Sequence, residues 1–467
     1  MPKNIHEIRD PVHAFVRLDS HERGVLNSRP FQRLRHIHQL GLTYLLYPAA
    51  THKRFEHSLG VMELASRVFD VVTTPGNVTD EIRRRLPQLE REDERRYWRR
   101  IIRVAALCHD VGHLPFSHAA ETTLLPEGWH HERLTREIIL SDEMESIWEM
   151  ITPPLRPEDI VKLAIGPKKA RDMEFSDWET ILAEIIVGDA FGVDRMDYLL
   201  RDSHHLGVAY GRFDHYRLID TLRILPSPPS GRNDEVRQTQ RGTEEHGTRE
   251  AEVGQEEEAR CVELGIEEGG IHSAEALLLA RYFMYTQVYF HPVRRVYDIH
   301  LQDFLKAWLS DRLFSTNLEQ HLKMTDNEIT AALLEVAFDP SKAGYEHARR
   351  IVQRQHFKVI YQRNPNDINI NPEAGSAVYR ALTSRFGEEH FRCDRCVQKG
   401  GAPDFPVQLR DGQIVSSLAL SETLKNVPIV SIDFVFSSRE KYEEASRWLE
   451  EHRAEIIRPT REDERNG

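Results

Sequence analysis

The chain has 467 residues, with 62 Lys plus Arg against 75 Asp plus Glu and a net charge of -13. Burial is no limitation at this length, and the acidic balance argues against a protein that grips nucleic acid through general positive charge, so any phosphate site must be a local pocket. No run approaches the roughly 18 uncharged residues of a membrane span, Met1 to His6 holds no apolar signal core, and four cysteines make no disulfide framework, so the sequence reads as a soluble protein of a reducing cytoplasm.

Residues 1–225 are predicted to be mainly helical, with apolar positions three and four apart in 31–40 and again in 59–69. The charged stretch 77–100 reads as an exposed connection and a solvated helix. At Pro226-Ser227-Pro228-Pro229-Ser230-Gly231 the composition shifts to Glu, Gln, Arg and Gly, with almost no large apolar residue before Val262. Too little can be buried there to offset ordering entropy, which predicts a disordered acidic insertion over 226–270. Helical periodicity resumes at 274–290 and runs on, so 271–357 is read as a helical continuation that completes the active site. Residues 358–361 and 427–436 look like strands, followed by an amphipathic helix from about Arg439 to Ile457, making 358–467 a small α/β module. Cys393-Asp394-Arg395-Cys396 is a single CxxC; with His390 it falls short of four zinc ligands, and its cysteines read as ordinary loop residues.

The densest chemistry lies in Cys108-His109-Asp110-Val111-Gly112-His113-Leu114-Pro115-Phe116-Ser117-His118, where an apolar helix runs into imidazoles and a carboxylate. Burying such a cluster unpaired is costly, whereas a divalent ion satisfies it. His57 in Arg54-Phe55-Glu56-His57-Ser58 and Asp194 in Asp189-Ala190-Phe191-Gly192-Val193-Asp194 offer the missing donors. Two imidazoles and two carboxylates would leave positions open for water and substrate, as a catalytic iron, manganese, magnesium or zinc requires.

This set, with Phe31-Gln32-Arg33-Leu34-Arg35, Gln39-Leu40-Gly41, Pro115-Phe116-Ser117-His118 and Tyr198-Leu199-Leu200-Arg201-Asp202, resembles the HD-domain metal-dependent phosphohydrolases. Within them it looks like the branch containing the mammalian SAM-and-HD-domain deoxynucleoside triphosphate triphosphohydrolase and its bacterial relatives without the SAM module. The resemblance implies a mainly α fold, an HD-domain helical bundle core with the α/β module appended, and hydrolysis of a dNTP to deoxynucleoside and inorganic triphosphate. It implies metal ligands His57, His109, Asp110 and Asp194, and His118 as the proton donor to the leaving 5′ oxygen. Glu121 orients His118 by this reading, although the family usually has Asp there. Arg54, Arg195 and Arg281 face the phosphates, with Tyr198, His113 and His131 as further polar contacts. Arg195 replaces a common Lys, exchanging a point charge for a planar fork. Sugar selection falls to Gln39, Leu40, Asp202 and Tyr289. Tyr289 is open to two readings, a steric gate against a 2′-hydroxyl or a member of an aromatic core stripe with Phe290.

Relatives assemble as oligomers, and the resemblance extends to a homodimer or tetramer with an activating nucleotide between subunits. Gln32, Arg35, Arg217, Arg354 and Lys358 match that site, while Asn27 replaces a guanine-reading aspartate and Glu267 and Gly269 replace cationic residues. The exchange at Asn27 speaks against a guanine-specific activator, and Glu267 would repel phosphate instead of binding it. Competing readings are an HD phosphohydrolase for a nucleoside monophosphate, cyclic nucleotide or alarmone, and a metal-dependent nuclease. The three arginines favour a triphosphate, and the net charge of -13 disfavours nucleic acid.

Overall fold

The computed structural model describes residues 5–116, 121, 123–228, 261–309, 312–397 and 403–458. It is mainly α, as expected, but opens on an antiparallel hairpin that helical periodicity did not disclose, β1 (Ile5–Asp10) and β2 (Ala14–Asp19). Asp10 closes its turn by accepting the amides of Val12 and His13, both at 2.8 Å. The helix expected over 31–40 is also shorter. Arg29–Arg33 is α-helical, Leu34–His36 is a 3₁₀ turn, and the chain then extends because His38 forms a bridge with Lys53 and gives its amide to Asp326 at 2.7 Å.

The core is built on α1 (Arg54–Val72) and α2 (Glu92–Cys108), which pack together. Glu56 caps the start of α1 by accepting the Lys53 amide at 2.7 Å. Most of α1 is apolar or small and is buried on nearly every side, as expected of a central helix. Helix α2 begins with Glu92, Asp93 and Glu94, which suit the positive end of the helix dipole, and is continuously buried from Ile101 to its end. Around this pair lie α3 (His131–Ile139), α4 (Pro157–Ile165), α5 (Asp177–Val187) and α6 (Val193–Leu206).

Strand β3 (Leu222–Pro226) pairs antiparallel with β4 (Val262–Glu267). Residues 226–228 and 261–270 therefore correct the expected disordered insertion at both ends: Pro226 pairs with Val262, Val262, Leu264 and Ile266 alternate into the core, and Glu268–Gly270 forms a 3₁₀ turn. The remainder of that expected segment, 229–260, lies outside the described residues. Beyond β4 come α7 (Ile271–Met284), a π turn over Tyr285–Tyr289 and α8 (Pro292–Trp308).

In the C-terminal module β5 (Lys358–Gln362) and β6 (Phe391–Val397) flank β9 (Ser431–Ser437), all antiparallel. Helices α9 (Ala374–Phe386) and α10 (Tyr442–Ile456) pack on one face of this sheet, and Phe434, Phe436 and Ile432 on the other face join Phe290 and Val296 beside α8. The module is not one continuous piece. Strands β7 (Pro406–Gln408) and β8 (Ile414–Ser416) leave it to extend the β3–β4 sheet, and Phe405 and Val407 enter the main core. Cys393 and Cys396 lie on β6 rather than in a loop; three apart on a strand, they face opposite sides and do not converge. Among the described residues no helix is long and apolar enough to cross a membrane.

Candidate active site

Helix α2 delivers His109 and Asp110 at its C-terminal end, α1 delivers His57 within its first turn, and α6 delivers Asp194 near its start. One donor atom each from His57, His109 and Asp110 lie within 4.8 Å of one another. Asp194 joins them through Oδ1, 3.0 Å from His57 Nε2 and 3.6 Å from His109 Nε2. His109 Nδ1 faces the Ala106 carbonyl at 2.7 Å, which makes that nitrogen the proton-bearing one and leaves Nε2 as a lone-pair donor. This Nε2 is buried and has no hydrogen-bond partner among the described residues. A buried orphan facing two carboxylates is what a divalent cation would satisfy, and the two imidazoles and two carboxylates suit one chemically.

Burial works against charge on His57, yet hydrogen bonds to Asp194 and Asp197 raise its pKa to about 10, so the pocket favours positive charge. Asp110 is likewise buried, but Arg54 above all holds it well below the usual carboxylate range. Cys108 does not enter the set: burial pushes its thiol up to about 12.

On one side of the metal ligands, His113 Nε2 lies 3.1 Å from Asp110 Oδ1 and its ring stacks on His131 at 3.9 Å. Glu121 accepts the His131 amide at 2.9 Å and faces its Nδ1 at 2.6 Å. Burial, then Arg54 and His131, keep His113 neutral, whereas Glu121 raises His131 against its own burial. The expected partner of Glu121, His118, lies outside the described residues. Two bonds fix the loop that leads there: Arg33 donates to the His113 carbonyl at 2.9 Å, and Asp326 accepts the Phe116 amide at 2.7 Å while Phe116 holds a φ of +53°.

The predicted phosphate-facing arginines differ among themselves. Arg54 is buried and donates to Asp110 at 2.5 Å, so it braces a ligand. Arg195 has buried Nε and Nη1 atoms without a hydrogen-bond partner among the described residues. Arg281 is buried on α7, near the Tyr285 ring, and its pKa is lowered by burial and by the charge of Arg195. Two neighbouring guanidiniums raise the local positive charge, which suits an anion.

Asp194, Tyr198 and Asp202 are four residues apart on α6, which places them on one face over about 12 Å of helix. At the far end Asp202 accepts from Tyr289 Oη at 2.7 Å and faces His52 Nε2 at 2.7 Å. Tyr289 closes the π turn, and its ring meets Tyr198 edge-on at 6.1 Å. The Gln39 amide donates to the His52 carbonyl at 3.0 Å, its side-chain Oε1 is a buried atom without a partner among the described residues, and Leu40 is buried beside it. Gln39, Leu40, Asp202 and Tyr289 are thus brought to one end of α6, with His52 as a member the sequence reading did not assign.

Asp197 is the other unassigned residue. It accepts from His57 Nδ1 at 2.8 Å, His13 Nε2 at 2.6 Å and Arg201 Nε at 2.8 Å, and Arg201 continues to Asp10 at 2.9 Å. The spacing Asp194, Asp197, Arg201 along one helix and Gly60 one turn after His57 were available signals. A Cβ at Gly60 would lie 1.9 Å from Asp197 Oδ1.

The residues matched to a regulatory nucleotide form separate pairs. Arg35 donates to Gln32 at 2.9 Å and covers the Phe55 ring at 3.5 Å. Arg217 donates to the Gly269 carbonyl at 3.3 Å, Arg354 to the Leu45 carbonyl at 2.7 Å, and Lys358 lies over the Tyr442 ring at 4.7 Å. Glu267 is engaged by Arg223 at 2.7 Å.

Residues 54–201 match the HD domain family and residues 257–382 match the HD associated region. The uncharacterized protein YwfO of Bacillus subtilis is 29% identical over 399 residues, covering 81% of this chain and 76% of that protein. The deoxynucleoside triphosphate triphosphohydrolase SAMHD1 of Gallus gallus is 28% identical over 403 residues, 78% of this chain but 57% of SAMHD1, so the chain spans little more than half of that relative. A crystal structure of a hypothetical protein from Aquifex aeolicus matches with a TM-score of 0.72 and 30% identity, covering 95% of this chain and 100% of the other.

Proposed function

Because the chain belongs to the HD-domain family of phosphohydrolases and resembles its SAMHD1 branch, we propose that it hydrolyses deoxynucleoside triphosphates to deoxynucleoside and inorganic triphosphate. The observation that carries the reading is that Arg195 Nε and Nη1 are buried without a hydrogen-bond partner among the described residues, close to Arg281 and on the helix that also presents Asp194. A triphosphate carries charge enough to meet both guanidiniums, whereas a monophosphate offers far less.

His57, His109, Asp110 and Asp194 would hold the divalent ion, with iron, manganese, magnesium or zinc as candidates. Such an ion lowers the pKa of water toward neutrality and polarises a phosphoryl oxygen. The chain's own groups do the rest. Arg54 keeps Asp110 ionised and aimed inward. Arg195 and Arg281 take the phosphate oxygens, and their charge counts most where negative charge grows during the reaction. Glu121 faces His131 and raises its pKa, and the His131 ring stacks on His113 beside the ligand Asp110. By resemblance His118 delivers the proton to the leaving oxygen. Asp202 and Tyr289 bind the sugar, and the Tyr289 ring closes the space a 2′-hydroxyl would need. A homo-oligomer with an activating nucleotide at Gln32, Arg35, Arg217, Arg354 and Lys358, working in the cytoplasm, completes the proposal.

Metal-replete protein incubated with each dNTP, NTP, dNMP and single-stranded DNA tests it by product analysis. Free deoxynucleoside with intact triphosphate is expected; orthophosphate, pyrophosphate or shortened oligonucleotide refutes it.

A further inference from the structure

We propose that the N-terminal hairpin is a working part of the metal centre: through His13 and Asp10 it holds Asp197, which sets the orientation and tautomer of His57. The proposal rests on His57 being a metal ligand, and not on which nucleotide is cleaved.

Asp197 has two carboxylate oxygens and four donors. Oδ1 accepts from His13 Nε2 at 2.6 Å and Arg201 Nη2 at 3.0 Å; Oδ2 accepts from His57 Nδ1 at 2.8 Å and Arg201 Nε at 2.8 Å. The side chains of His13, Asp197 and Arg201 are all 0% exposed. The carboxylate therefore has no spare lone pair and no room to swing. Asp10 closes the circuit by accepting from Arg201 at 2.9 Å with one oxygen and from the backbone amides of Val12 and His13 with the other. One aspartate thus shapes the hairpin turn and anchors the guanidinium at once.

The consequence for His57 follows from donor counting. A carboxylate at Nδ1 accepts a proton there, so the other nitrogen, Nε2, is the one that can carry a lone pair toward Asp194, Asp110 and an ion between them. Asp10, Asp197 and Arg201 sum to one negative charge behind His57, which favours a cation on the far side of its ring. Neither His13 nor Asp10 can touch that ion; they are positioning residues that act through Asp197. His13 contributes a donor through Nε2 alone, since its Nδ1 is buried without a partner among the described residues. A glutamine, which has a donor and no charge, should replace it; a leucine of similar bulk should not.

The test is Mn(II) affinity of the full chain, measured by chelator competition, for wild type, His13→Leu, His13→Gln and Asp197→Asn, with folding followed by circular dichroism. His13→Leu and Asp197→Asn are expected to weaken Mn(II) binding about 10- to 100-fold while the fold persists, and His13→Gln to stay within about threefold of wild type. Folded His13→Leu and Asp197→Asn proteins with wild-type affinity overturn the proposal. If either variant fails to fold, Zn(II)-loaded wild type decides by nitrogen-15 NMR: a proton on His57 Nδ1, protected from exchange, is expected, and zinc on Nδ1 refutes it. Loss of Mn(II) binding together with products other than triphosphate would leave this inference standing and remove the substrate proposal instead.

Discussion

Replacing Gly60 by alanine separates two opposed effects that the structure lets one weigh. In the interior of an exposed helix this change stabilises by about 1 kcal/mol, because glycine gives up more backbone freedom on folding. At position 60 the new methyl would sit 1.9 Å from Asp197 Oδ1 and 2.4 Å from Arg201 Nη2. Neither neighbour is a free end: the carboxylate is held by four donors and the guanidinium by two aspartates. Relief needs a displacement of more than 1 Å in a close-packed interior, and that breaks the buried ion pair. Breaking such a pair costs about 3–5 kcal/mol. Set against the helix gain, the net loss is about 2–4 kcal/mol. Urea unfolding with chelator present reads the stability term, and Mn(II) competition reads the accompanying loss of affinity as His57 loses its orienting carboxylate. A Gly60→Ala protein at least as stable as wild type, with unchanged Mn(II) affinity, would refute both the packing argument and the role given to Asp197.

Arg195→Ala should cut kcat/KM for a dNTP about 10- to 1000-fold with little effect on metal content, and Arg195→Lys should recover part of it; steady-state kinetics beside metal analysis checks this, and unchanged kinetics in the alanine variant refutes a phosphate-binding role. Tyr289→Ala should narrow the preference for dNTP over NTP at least tenfold, whereas Tyr289→Phe, which loses only the bond to Asp202, should keep the steric part; equal discrimination in all three proteins points to a core role instead. Burial, only partly offset by the Leu264 amide, raises Glu184 to about 7 from 4.5. The folded state then prefers the neutral acid, so stability is full below about pH 4.5, falls between 4.5 and 7 and is level above. The shift is worth at most about 3 kcal/mol. Glu184→Gln should be more stable than wild type in urea at pH 8 and level with it near pH 4.5, and an equal difference at both values would overturn the assignment.

The ligand set was legible because His109 and Asp110 are adjacent and the other two donors sit in short, distinctive runs. Their supports were harder to read. His13 and Asp197 lie 184 residues apart, and nothing local marks one as the partner of the other. Hydrophobic period also misled where tertiary bonds win: 31–40 has helical spacing, yet Asp326 takes the His38 amide and the chain straightens. The sheets show the same limit. Residues 406–416 read as part of the C-terminal module by position, but Phe405 and Val407 find their burial in the main core, a pairing set by distant β4 rather than by their neighbours. Glu121 illustrates the reverse case, where the residue was found but the described partner is His131.

Where β3 and β4 meet their connecting segment, the Ser227 amide donates to the Cys261 carbonyl at 2.8 Å, and the last register pair is Pro226 with Val262. The two ends of that segment are clipped together by the sheet itself. Closing a loop of twice the length costs only about 0.6 kcal/mol more, so the hairpin is nearly indifferent to how much chain is threaded between its arms. That makes the mouth of β3–β4 a natural graft point: a two-residue turn or an entire fluorescent domain could be spliced there at little cost to the sheet that frames it.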